Sequence, residues 1–186
     1  MAAFYEFDDV DTFAAAAIGE PGSRVFYLHA RSGTQRVTVR CEKQQVGAIA
    51  QYLRRVLSDL PPPEDRPLLE VDLSSAAGTE SFVLGPIGLG YDRGNDRVLV
   101  QLEELVPADL EGDDDEDDEE TTTVHDDVDR GRVRLYVTRG QAAAFCALAD
   151  TLVAAGRPSC TWCGNPIDPD GHLCVRANGF RRRDPA

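Results

Sequence analysis

Arg36-Val-Thr-Val-Arg-Cys41 runs directly into Glu42-Lys-Gln-Gln-Val-Gly-Ala-Ile49, and this junction decides the fold. In the first six residues Val37, Val39 and Cys41 share one face while Thr38 and Arg40 take the other, the period of a half-buried strand. From Glu42 the period changes. Val46, Ile49, Leu53, Val56 and Leu57 recur at helical spacing between Gln, Lys and Arg, which predicts a helix over 43–58. Pro61-Pro62-Pro63 ends it, because proline lacks the backbone donor and restricts the residue before it.

The same pattern returns at Arg132-Val-Arg-Leu-Tyr-Val-Thr-Arg-Gly-Gln-Ala-Ala-Ala-Phe145, which aligns with 36–49 without a gap. Arg36/Arg132, Val37/Val133, Gln45/Gln141 and Ala48/Ala144 are identical, and the apolar positions coincide. A strand over Arg132–Thr138 and a helix over 139–155 follow. Upstream of each copy lies a hairpin. In the first half, Phe13–Ile18 could be helical on alanine propensity, but the run is short and Glu20-Pro-Gly turns the chain into the β-rich stretch Arg24–Ala30. In the second, 81–90 and 97–104 flank Asp92-Arg-Gly-Asn95. Phe4–Phe7 reads as an opening strand and Leu68–Leu73 as a further one.

The expected fold is therefore α+β: two β-β-β-α units sharing a mainly antiparallel sheet with the helices on one face, plus a small C-terminal zinc knuckle. The expected organisation is a body over 1–157, with duplicated segments at 4–58 and 80–156 and an acidic disordered loop at 107–130. A knuckle at 158–180 and a basic tail at 181–186 complete it. If the duplication is real, Val39 and Leu135, and Ile49 and Phe145, take equivalent buried places.

Composition narrows the function. In 186 residues, 33 acids outweigh 19 Lys and Arg, for a net charge of −14. Nine of those acids lie in Glu111–Glu120, and without them the remainder carries an ordinary −5. Such a body lacks the basic coat that nucleic acid requires. The start is acidic up to Arg24, so no secretory signal is read, and no run reaches the roughly 18–20 apolar residues of a membrane span. Five cysteines, three of them in the last 27 residues, do not resemble a secreted disulfide framework. A cytoplasmic location with reduced thiols and no membrane partner is expected.

Those three cysteines carry the chemistry. Cys160-Thr-Trp-Cys163 is followed, eight residues on, by His172-Leu-Cys174. A Cys-x-x-Cys turn aims two sulfurs at one centre, Gly164 lets the chain bend, and residues two apart in an extended segment face one side. Thiolate and imidazole suit zinc. A redox pair, a labile or catalytic metal and unliganded thiols are the alternatives. Pro166 and Pro169 argue against a thioredoxin-type helix after the pair. Four protein ligands leave no open position, so one structural zinc per chain is expected at Cys160, Cys163, His172 and Cys174.

With that motif assembled, the chain resembles an uncharacterised actinobacterial family, a domain of unknown function. The residues that carry the resemblance are Tyr5-Glu-Phe, Gly19-Glu-Pro-Gly, Ala30-Arg-Ser-Gly, Glu42-Lys-Gln-Gln, Cys163-Gly-Asn-Pro-Ile-Asp-Pro-Asp-Gly-His-Leu-Cys174 and Arg176-Ala-Asn-Gly. The family carries proline after the first and last motif cysteines, where this chain has Thr161 and Val175. The resemblance brings no activity. It implies gene neighbours similar to a histidine-type phosphatase and a lipid-kinase-like protein.

Weaker signals have plainer readings. Gly85-Pro-Ile-Gly88-Leu-Gly90 lacks the Lys-Ser/Thr of a phosphate loop and reads as a glycine-bent strand. Cys41 and Cys146 lie on apolar stripes as core thiols. His29 and His125 have no companion nucleophile motif, and no catalytic residue is assigned. Arg176, Arg181, Arg182 and Arg183 form an anion-binding candidate, toward a phosphate-bearing ligand, nucleic acid or the chain's own acids. The expected function is a non-enzymatic zinc-containing interaction or adaptor protein with a protein partner. An enzyme or enzyme subunit acting on a phosphorylated small molecule is the alternative, and nucleic-acid binding through knuckle and tail is a weaker one.

Overall fold

The computed structural model describes residues 3–64, 67, 79–110, 129–167, 171–174 and 176. The strand expected at Leu68–Leu73, His125, the acidic run Glu111–Glu120 and Arg181–Arg183 lie outside the described residues.

Among the described residues, seven strands and two helices follow one another in the order the periodicity predicts. They are β1 (Phe4–Phe7), β2 (Thr12–Ile18), β3 (Val25–Ser32), β4 (Gln35–Cys41), α1 (Lys43–Ser58), β5 (Phe82–Asp92), β6 (Arg97–Glu104), β7 (Arg132–Val137) and α2 (Arg139–Ala154). The order strand, strand, strand, helix thus occurs twice after β1. Pro107–Leu110, assigned to the acidic loop from sequence, forms one 3₁₀ turn. Asp109 holds that turn through its carboxylate, which accepts from the Val106 N–H at 3.0 Å.

The strands form one sheet in the order β1-β7-β6-β5-β4-β3-β2. Neighbours within each half pair antiparallel, whereas β4–β5 and β1–β7 are parallel, with Val39 opposite Phe82 and Phe7 opposite Leu135. The two halves therefore lie side by side and run in the same direction. Only Asp8–Asp11 connect β1 at one edge to β2 at the other. A flat seven-stranded sheet would hold its edges about 29 Å apart at ~4.8 Å per strand. Five chain steps from Phe7 to Thr12 reach at most about 18 Å. The sheet must curl, and it curls around the helices.

The helices pack on each other and cross over: α1 follows β4 but reaches β5, and α2 follows β7 but packs on β2. Val46, Ile49, Ala50 and Leu53 of α1 and Ala142, Phe145, Cys146 and Ala149 of α2 are buried in one core with the strands. Val39, Leu135, Ile49 and Phe145 are all at most 1% exposed. Burying each such side chain contributes about 1.5–3 kcal/mol. Phe13 of β2 stacks on Phe145 of α2 with ring centroids 4.8 Å apart. The alanines after Phe13 suit this site, since small side chains let a helix approach the strand closely. Strand pairing with β3 here overrides the helical propensity of the run. The Cys146 thiol donates to the Ala50 carbonyl at 3.5 Å, and Arg54 pairs with Asp150, joining the helices at two further points.

On the outer face of β7, Arg134 faces Glu6 of β1 across the parallel pair at 3.6 Å. Both side chains are partly exposed, so solvent screens the pair and it adds little stability.

Candidate metal centre

The chain leaves α2 through Gly156-Arg157-Pro158 into a miniature hairpin. Ser159 and Pro166 form an antiparallel bridge. Around it, the Cys160 N–H donates to the Asn165 carbonyl at 2.7 Å and the Ile167 N–H to the Pro158 carbonyl at 2.8 Å. The turn is Cys160-Thr-Trp-Cys163-Gly164, closed by the Gly164 N–H on the Cys160 carbonyl at 2.8 Å. Gly164 sits at φ +78°, where a side chain would be strained, so glycine is what lets the turn close behind its two cysteines.

This turn and the His172-Leu-Cys174 segment bring the four expected ligands together. Their donor atoms all lie within 4.8 Å of one another. Cys160 Sγ is 3.7 Å from Cys174 Sγ, and Cys163 Sγ is 3.2 Å from His172 Nε2. A tetrahedral ion with metal–sulfur bonds of ~2.3 Å holds its sulfurs about 3.8 Å apart, so the cluster fits a four-coordinate site. Cys160 and Cys174 are buried, Cys163 and His172 half-buried.

The electrostatics favour one thiolate from the start. Backbone N–H groups of Cys163 and Trp162 point at the Cys160 sulfur and lower its pKa to about 7. The Trp162 contact measures 3.4 Å. The Cys163 thiol lies above its ordinary value: the Asn165 N–H pulls it down, but desolvation and the sulfurs of Cys174 and Cys160 outweigh that pull. Sulfurs this close resist joint ionisation unless a cation sits among them, which is the condition a bound metal satisfies.

The remaining candidates separate from this centre. Arg176 donates from Nη1 to the Trp162 carbonyl at 3.1 Å, tying the chain beyond Cys174 back onto the first turn. Cys41 and Cys146 are buried in the core, and burial pushes the Cys41 thiol up to about 12 and raises that of Cys146. His29 shares a 3.0 Å hydrogen bond with Thr38 Oγ1 between β3 and β4, and burial, then Arg36 and Arg31, lowers its pKa. The glycine-rich stretch 85–90 lies within β5, with an irregular register between Leu84 and Ile87. A Cβ on Gly85 would fall 2.8 Å from Leu105 Cα, so its glycine serves close strand approach.

Two residues of the centre escape a reading by ligand spacing. Trp162 is 67% exposed and Leu173 89% exposed, each standing between two ligands. The signal for them was their size and apolarity inside a polar, turn-rich loop. No helix among the described residues is long and apolar enough to cross a membrane.

Comparison with curated proteins and with solved structures finds no match. A family model described as a protein of unknown function, DUF3090, matches residues 5–174, from β1 through the last candidate ligand. The chain belongs to the DUF3090 family.

Proposed function

We propose that this protein is a non-enzymatic adaptor whose C-terminal knuckle, ordered by one structural zinc ion, docks a protein partner. The observation that carries the reading is the pair Trp162 and Leu173, both exposed and each flanked by two of the ligands. A folded protein gains nothing by leaving a tryptophan in water, whereas a large rigid aromatic on a metal-stiffened turn loses little entropy when buried by a partner. Zinc is favoured over other ions by the three-thiolate, one-imidazole donor set. With all four positions supplied by the chain, the metal orders the loop and takes no substrate. Thiolate ligands call for a reducing, cytoplasmic setting. We read the two halves of the body as copies of one β-β-β-α unit, a reading supported by Gln45 and Gln141, which make matching hydrogen bonds in the two halves.

The test is capture of partners by wild-type protein and by Trp162→Ala and Leu173→Ala, each first shown to retain one equivalent of zinc. The expected result is a defined partner lost in both variants. A partner set unchanged in the zinc-loaded variants would overturn the docking role, and full metal retention in Cys163→Ser would overturn the zinc assignment.

A further inference from the structure

A second feature lies where the knuckle leaves the body. A cavity of about 220 Å³ opens between the β2–β3 turn, the start of α1 and the chain after α2. Arg24, Lys43 and Arg157 all line it, and among the described residues its lining includes no acid. In a chain with 33 acids against 19 bases, three basic side chains from three separate segments gather around this one cavity.

Each cation is positioned. Arg24 lines the cavity and donates from Nη1 to the Ala155 carbonyl at 2.5 Å, at the negative end of α2. Lys43 is the first residue of α1, so the positive end of that helix lies at the cavity rim. The glycines of the wall let the cations reach inward: a Cβ built on Gly156 would stand 3.6 Å from Lys43 Nζ, and one on Gly22 3.1 Å from Arg157 Cδ. Phe26 and Leu152 supply an apolar side.

We infer that this cavity binds the phosphate group of a small phosphate monoester. Two guanidinium groups and an ammonium supply donors for several phosphate oxygens at once, and arginine matches the geometry of that anion in pairs of hydrogen bonds. The volume falls below the roughly 300–1,000 Å³ of sites that enclose drug-sized ligands, which suits a phosphate with a short carbon stem. The inference stands apart from the adaptor reading, because it uses neither Trp162 nor Leu173.

The full chain carrying its metal is titrated with inorganic phosphate, glycerol 3-phosphate and acetate at matched ionic strength, and the amide resonances of Lys43 and Arg157 are followed. Saturable shifts with both phosphates, at least about tenfold stronger than with acetate, are expected. Lys43→Ala and Arg157→Ala should each weaken the phosphate response by about tenfold, the loss of one charge-assisted hydrogen bond. Both side chains are exposed, so their truncation leaves the core intact. Arg55→Ala, in the last turn of α1 and outside the cavity, should bind as wild type does. Sedimentation with phosphatidic acid vesicles separates the sources: retention lost in Arg157→Ala assigns a lipid headgroup, and no retention assigns a soluble ester. Phosphate binding no tighter than acetate, or undiminished in both cavity variants, would overturn the site.

Discussion

Gln45 and Gln141 do the same two things at corresponding points of the two halves. Each side-chain oxygen accepts the N–H of the residue that caps its helix, from Glu42 to Gln45 Oε1 and from Thr138 to Gln141 Oε1, both at 2.8 Å. Each Nε2 then donates across to the opposite half, from Gln45 to the Leu84 carbonyl at 3.1 Å and from Gln141 to the Val10 carbonyl at 2.5 Å. One side chain thereby fastens both the start of a helix and the chain at the first strand of the other half. Gln141 is the more buried of the two.

Replacing Gln141 with Ala should therefore cost more than the same change at Gln45. It strands a buried carbonyl and an N-cap donor, for about 1–3 kcal/mol, whereas the partly exposed Gln45 site can admit water and should cost about 0.5–1.5 kcal/mol. Urea unfolding of both variants measures the difference, and the reverse order would show that the two bonds are not equivalent in role.

Thiol labelling should proceed in three stages. Metal-loaded protein protects Cys160, Cys163 and Cys174 by ligation and Cys41 and Cys146 by burial, so little label enters. Chelation should expose three thiols without unfolding the body, and denaturant the other two. Metal analysis should count one zinc per chain before chelation and none in Cys163→Ser. Release of all five thiols on chelation alone would mean that knuckle and body unfold together.

A short Gly/Ser bridge should replace residues 111–128 with little loss of stability. The flanks already meet: Arg130 pairs with Asp109 at 3.3 Å, and the Glu104 N–H donates to the Gly131 carbonyl at 2.8 Å. Shortening a loop whose ends are held changes closure entropy by only about 1 kcal/mol. Calorimetry should show one cooperative transition in both forms, and its disappearance would make the acidic segment part of the structure.

Acidification should weaken the body through His29. Its folded pKa lies below the ordinary 6.5, so the unfolded chain binds a proton that the native state refuses. The neutral ring's contribution is whole above pH 6.5 and is lost as the pH falls below it. Between pH 7.5 and 5.5, His29→Gln should lose less stability than wild type in urea unfolding. Equal losses would show that the histidine is not responsible.

Side-chain order along the chain specified the elements and the ligands. The alternation of Val37, Val39 and Cys41, the stripe from Val46 to Leu57 and the Cys-x-x-Cys turn are local patterns, each set by the period of the backbone or the reach of a few bonds. Thus β4 and α1 lie where their spacing puts them, and Cys160, Cys163, His172 and Cys174 converge. The parallel joins, by contrast, were decided in three dimensions. Pairing of Val39 with Phe82 and of Phe7 with Leu135 is made by backbone groups that every residue carries, so no side-chain period announces it. Those joins place the halves in one direction, and the short Asp8–Asp11 connection then forces the curl that brings β2 onto α2. The meeting of Arg24, Lys43 and Arg157 is a consequence of the same curl. Residues so far apart in the chain become neighbours only when burial of the shared core has chosen how the sheet closes.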